Sequence, residues 1–181
     1  MSTMTAPMMT AETVFDPVEF RRTLGHFATG VTVVTYDYEG EACGATVNSF
    51  TSVSLEPPLI LVSLANGSRA ASRILDRPFA VNILHRDQED LAMQFAGRPQ
   101  AATRPEWNFS PAAPVLAGSL ATVVCQPWET HQAGDHVLVL GRVEEFSSVT
   151  EEPLIFYRGA FTQLGAAPEV TTKETRRGET R

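Results

Sequence analysis

The chain has little of what marks many functional classes. Its 181 residues hold only two cysteines, Cys43 and Cys125, far apart and outside any C-x-x-C pair. A disulfide scaffold is thereby excluded, and two free thiols in a reducing cytoplasm are expected. The four histidines show no ligand spacing, so no metal site is expected. Basic residues are outnumbered: 14 Lys and Arg face 21 Asp and Glu, for a net charge of -7. Nucleic acid is a poor partner for such a surface, though a small anion needs only one or two local donors. Apolar runs are short, residues 59–64 being typical, so no membrane crossing is expected. The first residues lack a basic start followed by an apolar stretch and do not read as a secretory signal. No G-x-G-x-x-G follows a strand, and there is no P-loop. The nucleophile elbow G-x-S-x-G of Ser-His-Asp hydrolases is missing too.

What remains is a soluble-type composition, 43% apolar and 19% charged. Residues 1–14 and 166–181 are polar with few core anchors and read as disordered tails around one domain over 15–165. Asp16-Pro17 predicts a helix start, followed by Phe20, Leu24 and Phe27 on one apolar face and a stop at Gly30. Strands are expected at 31–36, 44–54, 59–64, 79–84, 119–125, 137–143 and 154–164, the last broken at Gly159. Short helices are expected at 69–75 and 87–95. Residues 98–114, with four prolines, read as a long loop, a class usually functional or mobile. The pattern is mainly β with short helices, favouring an antiparallel Greek-key barrel over a parallel sheet.

The stretch G-A-T-V-N-S-F-T-S-V-S at 44–54 carries no charge and has small side chains. Its backbone can lie close along a flat, polar-edged ring, with Asn48, Ser49 and free N–H groups donating to ring carbonyls. An ordinary Thr- and Ser-rich edge strand would read the same way. Residues 63–69, S-L-A-N-G-S-R, pass from strand to helix and offer a hydroxyl, an arginine and free N–H groups to a phosphate. Simple capping by Asn66 or Ser68 is the alternative. G-D-H at 134–136 and Y-R-G at 157–159 supply an imidazole, His136, and a guanidinium, Arg158. These could orient an anionic ligand, or be plain surface residues.

Five tracts in series resemble the flavin reductase components of two-component monooxygenases. They are F-R-R-T-L-G-H-F-A-T-G-V-T-V-V-T, G-A-T-V-N-S-F-T-S-V-S-L-E-P-P-L, F-A-V-N-I-L-H-R-D-Q, G-D-H-V-L-V-L-G-R-V and P-L-I-F-Y-R-G-A-F. Their order and spacing match as well as their content. The resemblance implies an FMN-binding split barrel, a homodimer with FMN or FAD near the subunit interface, and NADH or NADPH as co-substrate. It also implies a separate monooxygenase as recipient of the reduced flavin. By motif match, Ala45, Thr46, Asn48 and Ser49 would line the flavin ring, with Ser63, Leu64 and Ala65 beside it. Ser68, Arg69 and Ala70 would hold the phosphate, and Gln94 and Phe95 would close over the flavin. His136 would lie near the nicotinamide as the catalytic-site residue, and Phe156, Tyr157, Arg158 and Gly159 would contact the pyridine nucleotide. Cys43, in a tract of variable size and polarity among relatives, says little about flavin type.

The residues fit that chemistry. Hydride transfer between two cofactors asks the protein for stacking and alignment rather than for an acid or base. Small neutral residues suit that task, and donors near the ring would stabilise the charge that develops on reduction. Two other readings stay open: a similar barrel that does not reduce free flavin, such as a pyridoxamine-phosphate-oxidase-like enzyme or a carrier, and a non-enzymatic β-barrel dimer.

Overall fold

Asp16 starts the first helix, α1 (Pro17–Leu24), by accepting the Val18 N–H at 2.8 Å and the Glu19 N–H at 3.4 Å. A computed structural model describes residues 15–165; the two expected tails, 1–14 and 166–181, lie outside the described residues. The helix ends earlier than expected. Gly25, not Gly30, caps it and donates its N–H to Arg21 O. Gly30 instead lies in the short strand β1 (Thr29–Gly30). No residue of α1 is buried, and Phe20, Leu24 and Phe27 stay 53%, 58% and 78% exposed.

The barrel strands follow. Strands β2 (Thr32–Tyr38) and β3 (Glu41–Val47) meet at Glu39-Gly40, both at positive φ (57° and 83°), the two-residue turn that matches strand twist. Next come β4 (Phe50–Leu55), β5 (Pro58–Ala65), the short helix α2 (Arg69–Arg73) and β6 (Phe79–Ile83). Helix α3 (Glu89–Phe95) precedes a ribbon of β7 (Trp107–Phe109) and β8 (Pro114–Leu116). A long hairpin, β9 (Ala121–Ala133) with β10 (His136–Ser148), is followed by the small pair β11 (Ile155–Tyr157) and β12 (Ala160–Thr162). The turn between that last pair, Arg158-Gly159, has positive φ at both residues (49° and 84°), which is why the final strand breaks there.

Seven strands form one antiparallel sheet in the order β3-β2-β6-β9-β10-β5-β4. The stretch at 44–54 is therefore not one strand. Its first part is one edge of the sheet and its second part is the other edge, joined only by Asn48 and Ser49. A flat sheet of seven strands is roughly 29 Å across. Two residues reach about 7 Å. The sheet must therefore roll up until its edges meet, and the result is the antiparallel barrel. Ser49 continues the β4–β5 pairing past Phe50 and Val62, its Oγ donating to Ser63 O at 2.6 Å and accepting the Ser63 N–H at 3.2 Å.

The barrel interior is filled by Val34, Val62, Phe79, Val81 and Val139, each fully buried. Gly141, at a bulge between β9 and β10, leaves room for the Phe79 ring; a Cβ there would sit 2.5 Å from Phe79 Cζ. Both cysteines are free, as expected. Burial pushes the Cys125 thiol up to about 12, so it stays protonated. The expected loop at 98–114 is partly built: its β7–β8 ribbon is fastened to the barrel by Asn82, whose Oδ1 accepts the Leu116 N–H at 2.8 Å. Among the described residues no helix is long and apolar enough to cross a membrane, and no cluster of metal-ligating side chains occurs.

Candidate functional site

Strand β3 is an edge strand, yet α3 lies across it. Thr46 Oγ1 donates to Ala92 O at 2.6 Å. Gly44 lies directly under the Phe95 ring: an added Cβ would be 2.9 Å from Phe95 Cδ1 and 3.1 Å from Val33 Cγ1. Phe95 in turn meets Trp107 edge-on, ring centroids 6.0 Å apart. The absence of a side chain at 44 is what lets helix and strand touch.

This seam divides the surface into two cavities. The smaller, about 320 Å³, is lined on the β3 side by Cys43, Gly44 and Ala45, and elsewhere by Ser68, Arg69, Ala70, Arg73, Gln94 and Phe95. The larger, about 570 Å³, takes Thr46 and Val47 from the same strand and Asn48 just beyond it. Its far wall is Phe156, Gly159 and Phe161, and α3 with its C-cap adds Glu89, Met93 and Ala96 at spacings of four and three. The uncharged residues of one strand therefore feed both cavities.

The structure thus brings together six of the residues matched to flavin, Ala45, Ser68, Arg69, Ala70, Gln94 and Phe95, in one cavity. Thr46 and Asn48 share the other with Phe156 and Gly159. Ser49 and Ser63 line neither; they are bonded to one another at the end of the β4–β5 pairing. Leu64 is 2% exposed, and its side chain belongs to the core. Ala65 pairs in register with His136 across β5 and β10. Ser68 is also a helix cap, its Oγ accepting the Ala71 N–H at 3.1 Å, as the capping alternative expects.

His136 opens β10 beside a tight turn and lines neither cavity in the single chain. Its Nδ1 donates to Asp135 Oδ1 at 2.7 Å, which orients the ring. That bond to His136 holds the Asp135 carboxyl below the usual carboxylate range. Tyr157 lies edge-on to His26, ring centroids 6.3 Å apart, and the Arg158 N–H donates to Gly25 O at 2.9 Å. These two residues anchor α1 to the small sheet.

Sequence reasoning missed Arg73, Glu89, Met93 and Phe161. Arg73 had a signal, four residues after Arg69 on a short helix, which sets both on one face. Tyr36, also on the smaller cavity, is a neutral hydroxyl there: burial first, and Cys43 second, raise its phenol above the ordinary value. The donor set suits a planar, anionic, phosphate-bearing ligand: small side chains for the ring, guanidinium and hydroxyl for the phosphate.

Comparison with known proteins agrees with this geometry. Residues 24–165 match the family model for the flavin reductase like domain. The reductase subunit HsaB of a flavin-dependent monooxygenase from Rhodococcus jostii is 39% identical over 176 residues, covering 94% of this chain and 89% of that protein. The solved structure of flavin reductase PheA2 in its native state superposes with a TM-score of 0.81 at 39% identity, covering 83% of this chain and 99% of that one. That of the NADH:FAD oxidoreductase SgcE6 of Streptomyces globisporus C-1027, in complex with NAD and FAD fragments, gives 0.76 at 35% identity, covering 88% and 99%. The chain belongs to the flavin reductase like family.

Proposed function

We propose that this chain is an NADH-dependent flavin reductase that moves hydride from NADH, or NADPH, to FMN or FAD and passes the reduced flavin to a separate monooxygenase. The observation that carries this reading is the placement of β3. The strand runs from a cavity holding Ser68 and Arg69 to a cavity holding Phe156 and Gly159. A phosphate-bearing ring and a pyridine nucleotide are the pair of ligands this arrangement suits.

The bound flavin would supply the two-electron acceptor chemistry, with the hydride coming from the nicotinamide. The protein's own part is positional. Gly44 and Ala45 keep the strand low enough for close ring approach. Asn48, exposed at the rim of the larger cavity, offers an amide donor where negative charge would develop. Ser68 and Arg69 hold the phosphate end, and Phe95 shuts water from the seam. The Asp135-oriented His136 faces the nicotinamide in this reading.

A steady-state assay crossing FMN and FAD with NADH and NADPH tests it. Nicotinamide absorbance is expected to fall only when a flavin is added, and His136→Ala is expected to raise the KM for NADH more than it weakens flavin binding. No flavin-dependent oxidation with either nicotinamide would refute the assignment. A larger loss of flavin binding than of NADH binding in the variant would remove His136 from the nicotinamide site.

The reading includes a homodimer, and its two free thiols suit work in the cytoplasm. The apolar row Phe20, Leu24 and Phe27 is exposed among the described residues. Contiguous exposed apolar surface of this kind marks an interface. Sedimentation is expected to give twice the 19.7 kDa of one chain, and Leu24→Glu to shift the population toward monomer. Sedimentation of the wild type at single-chain mass at micromolar concentration contradicts the dimer.

A further inference from the structure

The smaller cavity is unusual for so acidic a chain. Net charge is -7, yet two arginines, Arg69 and Arg73, line it and no carboxylate does. Neither guanidinium has an acidic partner within 4.0 Å among the described residues. Arg69 is exposed, whereas Arg73 is half-buried and held in place. Its guanidinium lies over the Tyr38 ring, 4.0 Å from the centroid, and its Nη1 is 3.9 Å from Cys43 Sγ. Stacking and packing fix the planar fork before any ligand arrives. The two residues sit one helical turn apart on α2, about 6 Å along its axis. Ser68 adds a hydroxyl at the near end.

We propose that Arg73 is a specificity-determining residue that grips the second phosphate of a diphosphate-linked flavin, so that the cavity selects FAD over FMN. The inference rests on the flavin reading above and adds to it a residue outside the matched motifs. A single phosphomonoester is met by Ser68 and Arg69 and leaves Arg73 without an anion. A diphosphate spreads its charge over two phosphoryl groups and meets both forks. Charge-assisted bonds of this kind are the strong ones.

The test is equilibrium binding, read by flavin fluorescence, of FAD, FMN and riboflavin to the full chain and to Arg73→Ala. The dissociation constant for FAD is expected to rise about tenfold or more, the loss of one charged hydrogen bond, while that for FMN stays within about twofold. Equal weakening of FAD and FMN, or none, overturns the proposal and leaves the flavin site standing. Failure of the wild type to bind any of the three overturns both. Arg73→Gln keeps part of the aliphatic stem and an uncharged polar end, and serves if the alanine variant does not fold. On the wild type, inorganic pyrophosphate is expected to displace FAD at lower concentration than orthophosphate. Equal potency of the two anions also counts against the diphosphate clamp.

Discussion

Gly44→Val is expected to weaken flavin binding by about tenfold or more and to lower the melting temperature, because two packed groups cannot both yield. The new Cβ would lie 2.9 Å from Phe95 and 3.1 Å from Val33. Val33 is fully buried in the core, and Phe95 is backed by Trp107. The element free to move is α3. Lifting it breaks the Thr46–Ala92 hydrogen bond and reshapes both cavities at once, since each takes residues from β3 and from α3. Overpacking of this sort costs about 1–3 kcal/mol in stability. The loss of affinity follows from a displaced wall rather than from a lost contact. Gly30→Ala is the control, since nothing lies within 4 Å of a Cβ there. Flavin titration and thermal melting read the two effects separately. A flavin dissociation constant within about twofold of wild type in Gly44→Val would show that the β3–α3 seam does not shape the site.

The second large effect is on stability. Asn82 is fully buried on β6 and is bonded through every part of its amide. Its Nδ2 donates to Val33 O and to Thr35 Oγ1, both at 2.9 Å, and its Oδ1 accepts the Leu116 N–H at 2.8 Å. Thr35 Oγ1 in turn donates to Pro114 O at 2.6 Å. Three elements, β2, β6 and β8, meet at this one side chain. Asn82→Leu keeps the branched shape but orphans the Leu116 N–H. Each such orphan costs about 1–3 kcal/mol, and with the lost bonds to β2 the total is about 3 kcal/mol. For a chain of this size that is a fall of about 6–12 °C in melting temperature. Detachment of β8 also frees the 98–114 segment, so protease cleavage between Gly97 and Pro114 is expected to quicken. A fall of less than about 2 °C would mean that water or the neighbouring hydroxyl satisfies the Leu116 N–H, and that the clamp is not needed.

Much of the fold was legible because strand and turn chemistry is local. Glu39-Gly40 and Arg158-Gly159 close two-residue turns in which the glycine takes the second positive φ. Asp16 caps α1 through its own side chain. Gly30 misled because Gly25 reaches the helix end first and needs only the local carbonyl of Arg21. The strand lengths of β9 and β10 were underestimated because the parts at 126–133 and 144–148 are largely exposed and polar, and each pairs only with the inner stretch of the other strand. Residues 98–114 hid a ribbon because the anchor, Asn82, comes before it in the chain and binds it through a backbone N–H that no residue type announces.

For the site, the sequence by itself determined the chemistry on offer: an uncharged stretch at 44–49, a hydroxyl and guanidinium at 68–69, an imidazole beside an acid at 135–136. These are properties of side chains and need no partner to exist. Only the tertiary structure decided which of them share a cavity. Asn48 and Ser49 join the two edges of one sheet, so the strand that reads as continuous turns a corner and its two halves serve different walls. Barrel closure also brings Arg73 beside Cys43 and Tyr38, 30 and 35 positions earlier in the chain. Such contacts depend on how a sheet rolls and where a helix crosses it, and those depend on the whole core at once.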